Sequence, residues 1–246
     1  MEIIFNTDTN TWEKTSLEDF LKDNTPSGWT DFFSRDDIID NIITISNFLR
    51  YEASHDKITI YPSISNVFRS LYMTNIDTID VVIIGQDPYH NGSATGLAFD
   101  APKSGKTPPS LRNILKELQS SGFTTDSIDQ LPSQGVLLIN TALTVRKGSP
   151  ETHMEIWKYF TTELIKYIAQ YKQIVWLLMG KHAQEFTNVL SSKHKHIVVA
   201  TSHPSPLSAL RPMKKCPAFI GSDCFNQINK ELIKIGKEPI DFSNTQ

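Results

Sequence analysis

Val81-Val82-Ile83-Ile84-Gly85-Gln86-Asp87-Pro88-Tyr89-His90 sets an unbroken apolar run against a glycine, an amide, a carboxylate and a proline. A run this short, apolar on both alternating faces and closed by turn-forming residues, reads as a strand buried on both sides. It extends back to Ile79, and three more runs of the same kind follow at 135–140, 173–180 and 196–201. Between them lie stretches with helical spacing, 110–121, 152–171 and 181–192, and another at 225–235 ends before Gly236, a natural helix stop. Strands alternating with helices in this way form a parallel sheet covered on both faces. The expected class is α/β: a single domain on a central four-stranded, mainly parallel sheet flanked by helices on both faces.

Upstream, Ile38, Ile39, Ile42, Ile43, Ile45, Phe48 and Leu49 fall on one helical stripe behind Asp36 and Asp37, which favour a helix start. The stripe is expected to pack on the sheet. Residues 1–57 are therefore expected to form a helical segment packed on a main domain, 58–246, and Trp12, Trp29, Phe32 and Phe33 argue that its polar, acidic beginning docks too.

Composition narrows the function. Of 246 residues 39% are hydrophobic and 21% charged, which supports a sizeable core and excludes wholesale disorder. Lys and Arg number 24 against 27 Asp and Glu, a net charge of −3. A generally basic nucleic-acid coat is thus excluded, and any phosphate contact has to come from a local patch, hydroxyls or backbone amides. Cys216 and Cys224 are too few for a disulfide framework and have no His/Cys partners at zinc spacing, so they read as buried thiols of a reducing compartment. Residues 1–6 show no basic region ahead of an apolar core, and no apolar run approaches about 18 residues. Neither export nor a membrane span is expected; the chain is expected to be intracellular, in the cytoplasm, or in the nucleus if the source is eukaryotic or viral.

In an open parallel sheet, ligands bind beyond the carboxyl ends of the strands. The residues found there are Gln86, Asp87, Tyr89 and His90 after the first run, with Phe99 shortly beyond, Asn140 closing the second, Gly180-Lys181 closing the third, and Ser202-His203-Pro204-Ser205-Pro206-Leu207-Ser208 after the fourth. Each has an ordinary reading when taken singly: Asp87 before a proline as a turn, Asn140 as a cap, His203 as a satisfied loop histidine, Tyr89 and Phe99 as core. Their convergence on one sheet edge favours a shared site. A nucleotide-binding doubly wound protein would need a glycine-rich phosphate loop after the first strand, and Gly85-Gln86-Asp87-Pro88 offers a carboxylate and a proline instead.

The strings 85–90, Leu138-Ile139-Asn140-Thr141-Ala142-Leu143-Thr144-Val145-Arg146 and His203-Pro204-Ser205-Pro206-Leu207-Ser208 resemble the monofunctional uracil-DNA glycosylase family, with similarity from about Ile58 to Asp241. The resemblance implies hydrolysis of the bond between uracil and deoxyribose in DNA, leaving an abasic site, with no metal or organic cofactor. It implies that Asp87 activates the attacking water and faces the cationic sugar. His203 would hydrogen-bond uracil O2 as a neutral imidazole, with backbone amides around Gln86 assisting. Asn140 would pair with the uracil edge, Phe99 would stack on the base and Tyr89 would exclude a 5-methyl group. Leu207 would fill the vacated base stack. Phosphates would be held by Ser110 in the Pro108-Pro109-Ser110 turn, Ser205, His90 and Arg211. The implied partners are uracil-containing DNA, single- or double-stranded, and a DNA-mimic protein inhibitor, with the enzyme acting as a monomer. A DNA-holding or polymerase-associated subunit of weak catalysis is the alternative, and the presence of Asp87, Asn140 and His203 together argues against it.

Three departures from the family stand out. Residues 91–95 are shorter by about one residue than the family's stretch, Lys181 replaces a hydroxyl at a phosphate position, and 211–224 is longer by about six residues. The longer loop is read first as a solvated insertion.

Overall fold

The computed structural model describes residues 11–190 and 193–244. Residues 1–6 and the last two positions of the 181–192 stretch fall outside them. In chain order the elements are α1 (Leu17–Asp23), α2 (Thr30–Phe33), α3 (Asp36–Ser54), β1 (Ile60–Tyr61), α4 (Arg69–Met73), β2 (Val81–Gly85), α5 (Pro109–Ser120), β3 (Val136–Asn140), β4 (Val145–Arg146), α6 (Met154–Tyr171), β5 (Val175–Met179), α7 (Lys181–Glu185), β6 (Ile197–Thr201) and α8 (Cys224–Lys234).

Four strands form a parallel sheet in the order β3-β2-β5-β6. Every residue of β2, β3 and β5 is buried, as their apolar runs require, whereas edge strand β6 is only partly covered. Alternate residues feed two cores. Val82, Ile84, Leu137, Ile139, Trp176 and Leu178 pack with α1, α2, α3 and α6, while Val81, Ile83, Val136, Leu138, Val175 and Leu177 pack with α5 and α8. The α/β class with helices on both faces follows.

Local chemistry sets the helix ends. Ser16 caps α1, accepting from the Asp19 N–H at 3.1 Å and donating to the Asp19 carboxylate at 2.8 Å. Proline opens α5, where its missing N–H costs nothing. The buried Glu117 carboxylate of α5 accepts from the N–H groups of Gly221 and Asp223, each at 2.7 Å, and so supplies negative charge to the start of α8.

The structure departs from the sequence-based expectation in three places. Of the apolar stripe on α3 only Ile38, Ile42, Ile45 and Leu49 are buried; Ile39, Ile43 and Phe48 are 39%, 37% and 38% exposed, because the helix lies on the outside of the molecule and one narrow face meets the core. The helix expected over 181–192 ends at Glu185 and tightens into a 3₁₀ turn, Phe186–Val189, across Thr187-Asn188-Val189, all weak helix formers. An antiparallel ribbon, β1 with β4, was not expected; it pairs Ile60 with Arg146 and Tyr61 with Val145.

Candidate active site

The connection from β2 to β3 runs through α5 on one face, and the return from β3 across to β5 runs through α6 on the other. The chain leaves β2 toward β3 and leaves its other neighbour β5 toward β6, in opposite directions across the sheet, which opens a crevice at the carboxyl ends of β2 and β5. Gly85 and Asn140 are paired at the ends of β2 and β3, and past them the ladder continues, with the Thr141 N–H donating to Gly85 O at 3.0 Å and the Ala142 N–H to Gln86 O at 2.9 Å. Gln86 and Asp87 are therefore delivered on rigid backbone.

A recess of about 120 Å³ lies there, lined by Asp87, Tyr89, Phe99, Asn140, His203 and Ser110, together with Gln86, Pro88, His90 and Asp100. Asp87 accepts a hydrogen bond from the Glu151 backbone N–H at 2.7 Å. Burial raises its pKa above the ordinary carboxylate value, with the Glu151 charge adding to the rise and the same N–H opposing it. The Gln86 side-chain amide donates to the Glu151 carboxylate at 2.7 Å. Tyr89, its phenol pushed up by burial and so protonated, donates to Phe99 O at 3.0 Å. Phe99 stands in the left-handed region at φ 64, a strained setting for a bulky residue and one that gathers at functional sites.

Asn140 is only 7% exposed, yet its side-chain amide has no hydrogen-bond partner among the described residues. A nearly buried amide left open to a recess is arranged for something that enters it. The space around it depends on Gly85, where a Cβ would lie 2.2 Å from Asn140 Oδ1 and 3.3 Å from the Phe99 ring.

His203 follows β6, its ring 5.9 Å from that of Phe99. The Ser205 N–H donates to His203 Nδ1 at 3.0 Å, so that nitrogen is an acceptor and the proton of the neutral ring sits on Nε2. Burial, and secondarily the nearby His182, holds its pKa below the ordinary imidazole value. The loop is pinned from both sides, by Asn113 Nδ2 donating to Pro204 O at 2.7 Å and by Ser202 Oγ donating to Ser208 O at 2.9 Å. Gly180 at the end of β5 leaves room for it, since a Cβ there would come within 2.9 Å of His203 Cβ. An anionic group, a neutral donor, an open amide and an aromatic ring thus face one small space.

The model of the uracil DNA glycosylase superfamily matches residues 72–233. The chain belongs to that superfamily. A mimivirus UNG variant, solved in complex with UGI, is 26% identical over 89% of each chain with a TM-score of 0.83. The mimivirus uracil-DNA glycosylase is 27% identical, with 88% of this chain and 86% of that one covered and a TM-score of 0.78. A bacterial UNG from Nitratifractor salsuginis, at 21% identity and a TM-score of 0.57 over 76% of this chain and 88% of that one, shares the fold.

In this glycosylase the recess opens beside a larger groove of about 490 Å³, with Gln86 and His203 on the boundary and Lys181, Ser205, Leu207 and Arg211 in its walls. Leu207 is 81% and Leu210 73% exposed on the crest of the 203–211 loop, and Lys181 and Arg211 are exposed beside them. Ser110 sits at the start of α5 behind buried Pro108. The insertion after Arg211 folds back through a bridge between Met213 and Cys216, with Lys214 and Lys215 at its exposed turn, and is docked through Gln184 Nε2 to Cys216 Sγ at 3.4 Å. Cys216 and Cys224 are both buried free thiols, the second pushed up to about 12 by burial.

Two contributors are not legible in the sequence. Glu151 touches both Gln86 and Asp87 from a turn 64 residues downstream of Asp87, at φ 65. His182 lines the groove and faces His203 electrostatically. Among the described residues no group of three or more His, Cys, Asp or Glu is placed to hold a metal ion, and no helix is long and apolar enough to cross a membrane.

Proposed function

We propose that this glycosylase hydrolyses the N-glycosidic bond between uracil and deoxyribose in DNA, releases uracil and leaves an abasic site in an uncut strand. The open, nearly buried Asn140 amide carries the reading. Its oxygen can accept from uracil N3–H while its nitrogen donates to O4; cytosine, with an amino group and a bare N3, would leave buried polar groups mismatched. Phe99 stacks on the base, and Tyr89, fixed through Phe99 O, stands where thymine carries its methyl.

Asp87 orients the attacking water and its charge faces the oxocarbenium-like sugar. At about 6 Å and an effective dielectric of about 20 that attraction alone is on the order of 3 kcal/mol. The uracil anion departs toward His203, whose Nε2–H hydrogen-bonds O2 without giving up its proton. Extruding the nucleotide from a duplex costs a few kcal/mol, glycosylases being a general example of the class, and Leu207 fills the gap. Ser110, Ser205, His90, Lys181 and Arg211, with Pro108 shaping the turn, hold the flanking phosphates, so a chain of net charge −3 grips DNA locally. The reaction is assigned to residues 58–246, the same face would take a protein that mimics DNA, as mimivirus UNG takes UGI, and the enzyme would work inside the cell, where DNA is.

The test uses a single-stranded oligonucleotide holding one uracil. Free uracil and an alkali-labile site in an otherwise intact strand are expected. Release without an alkali-labile site, or strand cleavage without alkali, contradicts the assignment.

A further inference from the structure

The segment ahead of residue 58 is tied to the recess through the buried Glu52 and the turn whose two ends it holds. Glu52, near the end of α3, is 1% exposed. Its Oε1 accepts from Arg146 Nε at 2.8 Å and from Arg146 Nη2, and its Oε2 stands 2.9 Å from Nε2 of the fully buried His153. Trp157 Nε1 donates to Thr144 Oγ1 at 2.7 Å, and the Thr144 hydroxyl proton is left to donate to His153 Nδ1 at 2.8 Å. The His153 proton therefore sits on Nε2 and donates to Glu52, whose other carboxyl oxygen accepts from the Arg146 guanidinium.

Arg146 and His153 flank the turn 147–152, whose Glu151 N–H orients Asp87. Inside the turn the Arg146 N–H donates to Thr152 Oγ1 at 3.1 Å and the Ser149 N–H to Arg146 O at 3.1 Å. Outside it, the Lys147 N–H donates to Thr59 O at 2.8 Å and the Gly148 N–H to His90 O at 2.9 Å. With both ends fixed, Glu151 keeps a left-handed φ of 65 that a glutamate would otherwise leave.

We propose that Glu52 is a positioning residue for Asp87: by clamping Arg146 and His153 at the two ends of the 147–152 turn, it fixes the Glu151 N–H against which the Asp87 carboxylate is aimed. This rests on the reading of Asp87 as the catalytic carboxylate. Helix α3 then belongs to the catalytic frame as well as to the core. Replacing Glu52 takes from the Arg146 guanidinium and the fully buried His153 Nε2–H the carboxylate they share, so the turn has to shift, and a displacement of about 1 Å costs up to about 10²-fold in rate.

The test is single-turnover uracil release from a single-stranded oligonucleotide by wild type, Glu52→Gln, Asp87→Asn and the double variant, with thermal melting followed in parallel. Glu52→Gln is expected to slow release at saturating DNA by about 10- to 100-fold, with half-saturation within about twofold. In the Asp87→Asn background it is expected to change the residual rate by less than about twofold, since the group it acts through is gone. An equal loss in both backgrounds, or a folded Glu52→Gln with the wild-type rate, overturns the proposal. If Glu52→Gln melts too low to assay, Arg146→Met and Arg146→Lys repeat the test at a side chain that is 36% exposed: methionine should slow release and lysine restore most of it, and equal rates overturn the proposal. A wild-type chain that releases no uracil overturns the function and this proposal together. A working wild type with a crippled Asp87→Asn and an unaffected Glu52→Gln overturns this proposal alone.

Discussion

Gly85 lies directly beneath Asn140: the two are paired across β2 and β3, and a methyl group on Gly85 would fall 2.2 Å from Asn140 Oδ1. Gly85→Ala is therefore expected to displace the amide that reads the base, since Asn140 can rotate away, and to cost some stability where the new methyl meets the Ala98 Cβ at 3.0 Å and the Phe99 ring at 3.3 Å. We expect kcat/KM for uracil to fall by about 10- to 100-fold, the range for losing one or two buried hydrogen bonds. Unchanged kinetics would remove Asn140 from recognition.

Asp87→Asn separates rate from stability. General-base assistance is worth about 10²- to 10⁴-fold, and a loss of that order in kcat is expected with DNA affinity nearly unchanged. The folded-state pKa of Asp87 is raised, chiefly by burial, so its contribution to stability is full below the unfolded pKa and is lost as pH rises through the folded one. At pH 7 the buried charge is a cost, and Asp87→Asn should melt higher than wild type there, the gain disappearing in acid. By the same shift, the acid limb of wild-type kcat/KM should lie above the range of an exposed carboxylate, about 3.9. A variant that melts lower at pH 7, or an acid limb at the ordinary value, would contradict this.

Tyr89→Ala should admit thymine, because it removes the ring held by the bond from its hydroxyl to Phe99 O at 3.0 Å. Tyr89→Phe keeps the ring and should stay blind to thymine. Release of thymine from a T-containing oligonucleotide is the readout, and silence from the alanine variant would move the steric filter elsewhere.

Leu207→Ala should cost more on duplex than on single-stranded DNA. The side chain is 81% exposed and makes little contribution to the core, so melting should not change. A few kcal/mol of extrusion are at stake only in the duplex. Equal losses on both substrates would deny it the role of a wedge.

The sheet was legible because a parallel strand buried on both faces must be apolar throughout, and Val81 to Ile84 has no other comfortable place. Asp87, Asn140 and His203 were legible because they follow such runs. The α3 stripe is wider in the sequence than its buried face: periodicity reveals an apolar face but not what covers it, and Ile39 and Ile43 face outward. Ribbon β1–β4 is two residues long on each side, too short to leave a pattern. Glu151 acts on Asp87 through a backbone N–H at a positive φ, which its identity as a glutamate does not announce. Glu52 meets His153 across 101 residues of chain, a pairing that only the tertiary fold creates.

With Asn140 and Tyr89 in the roles proposed for them, one recess admits uracil and no other pyrimidine. Three single-stranded oligonucleotides, identical but for uracil, thymine or cytosine at one position, should be given to the wild-type protein under single-turnover conditions and the freed bases quantified. Uracil alone should be released. No release, or thymine or cytosine freed at a rate comparable to uracil, would contradict the account.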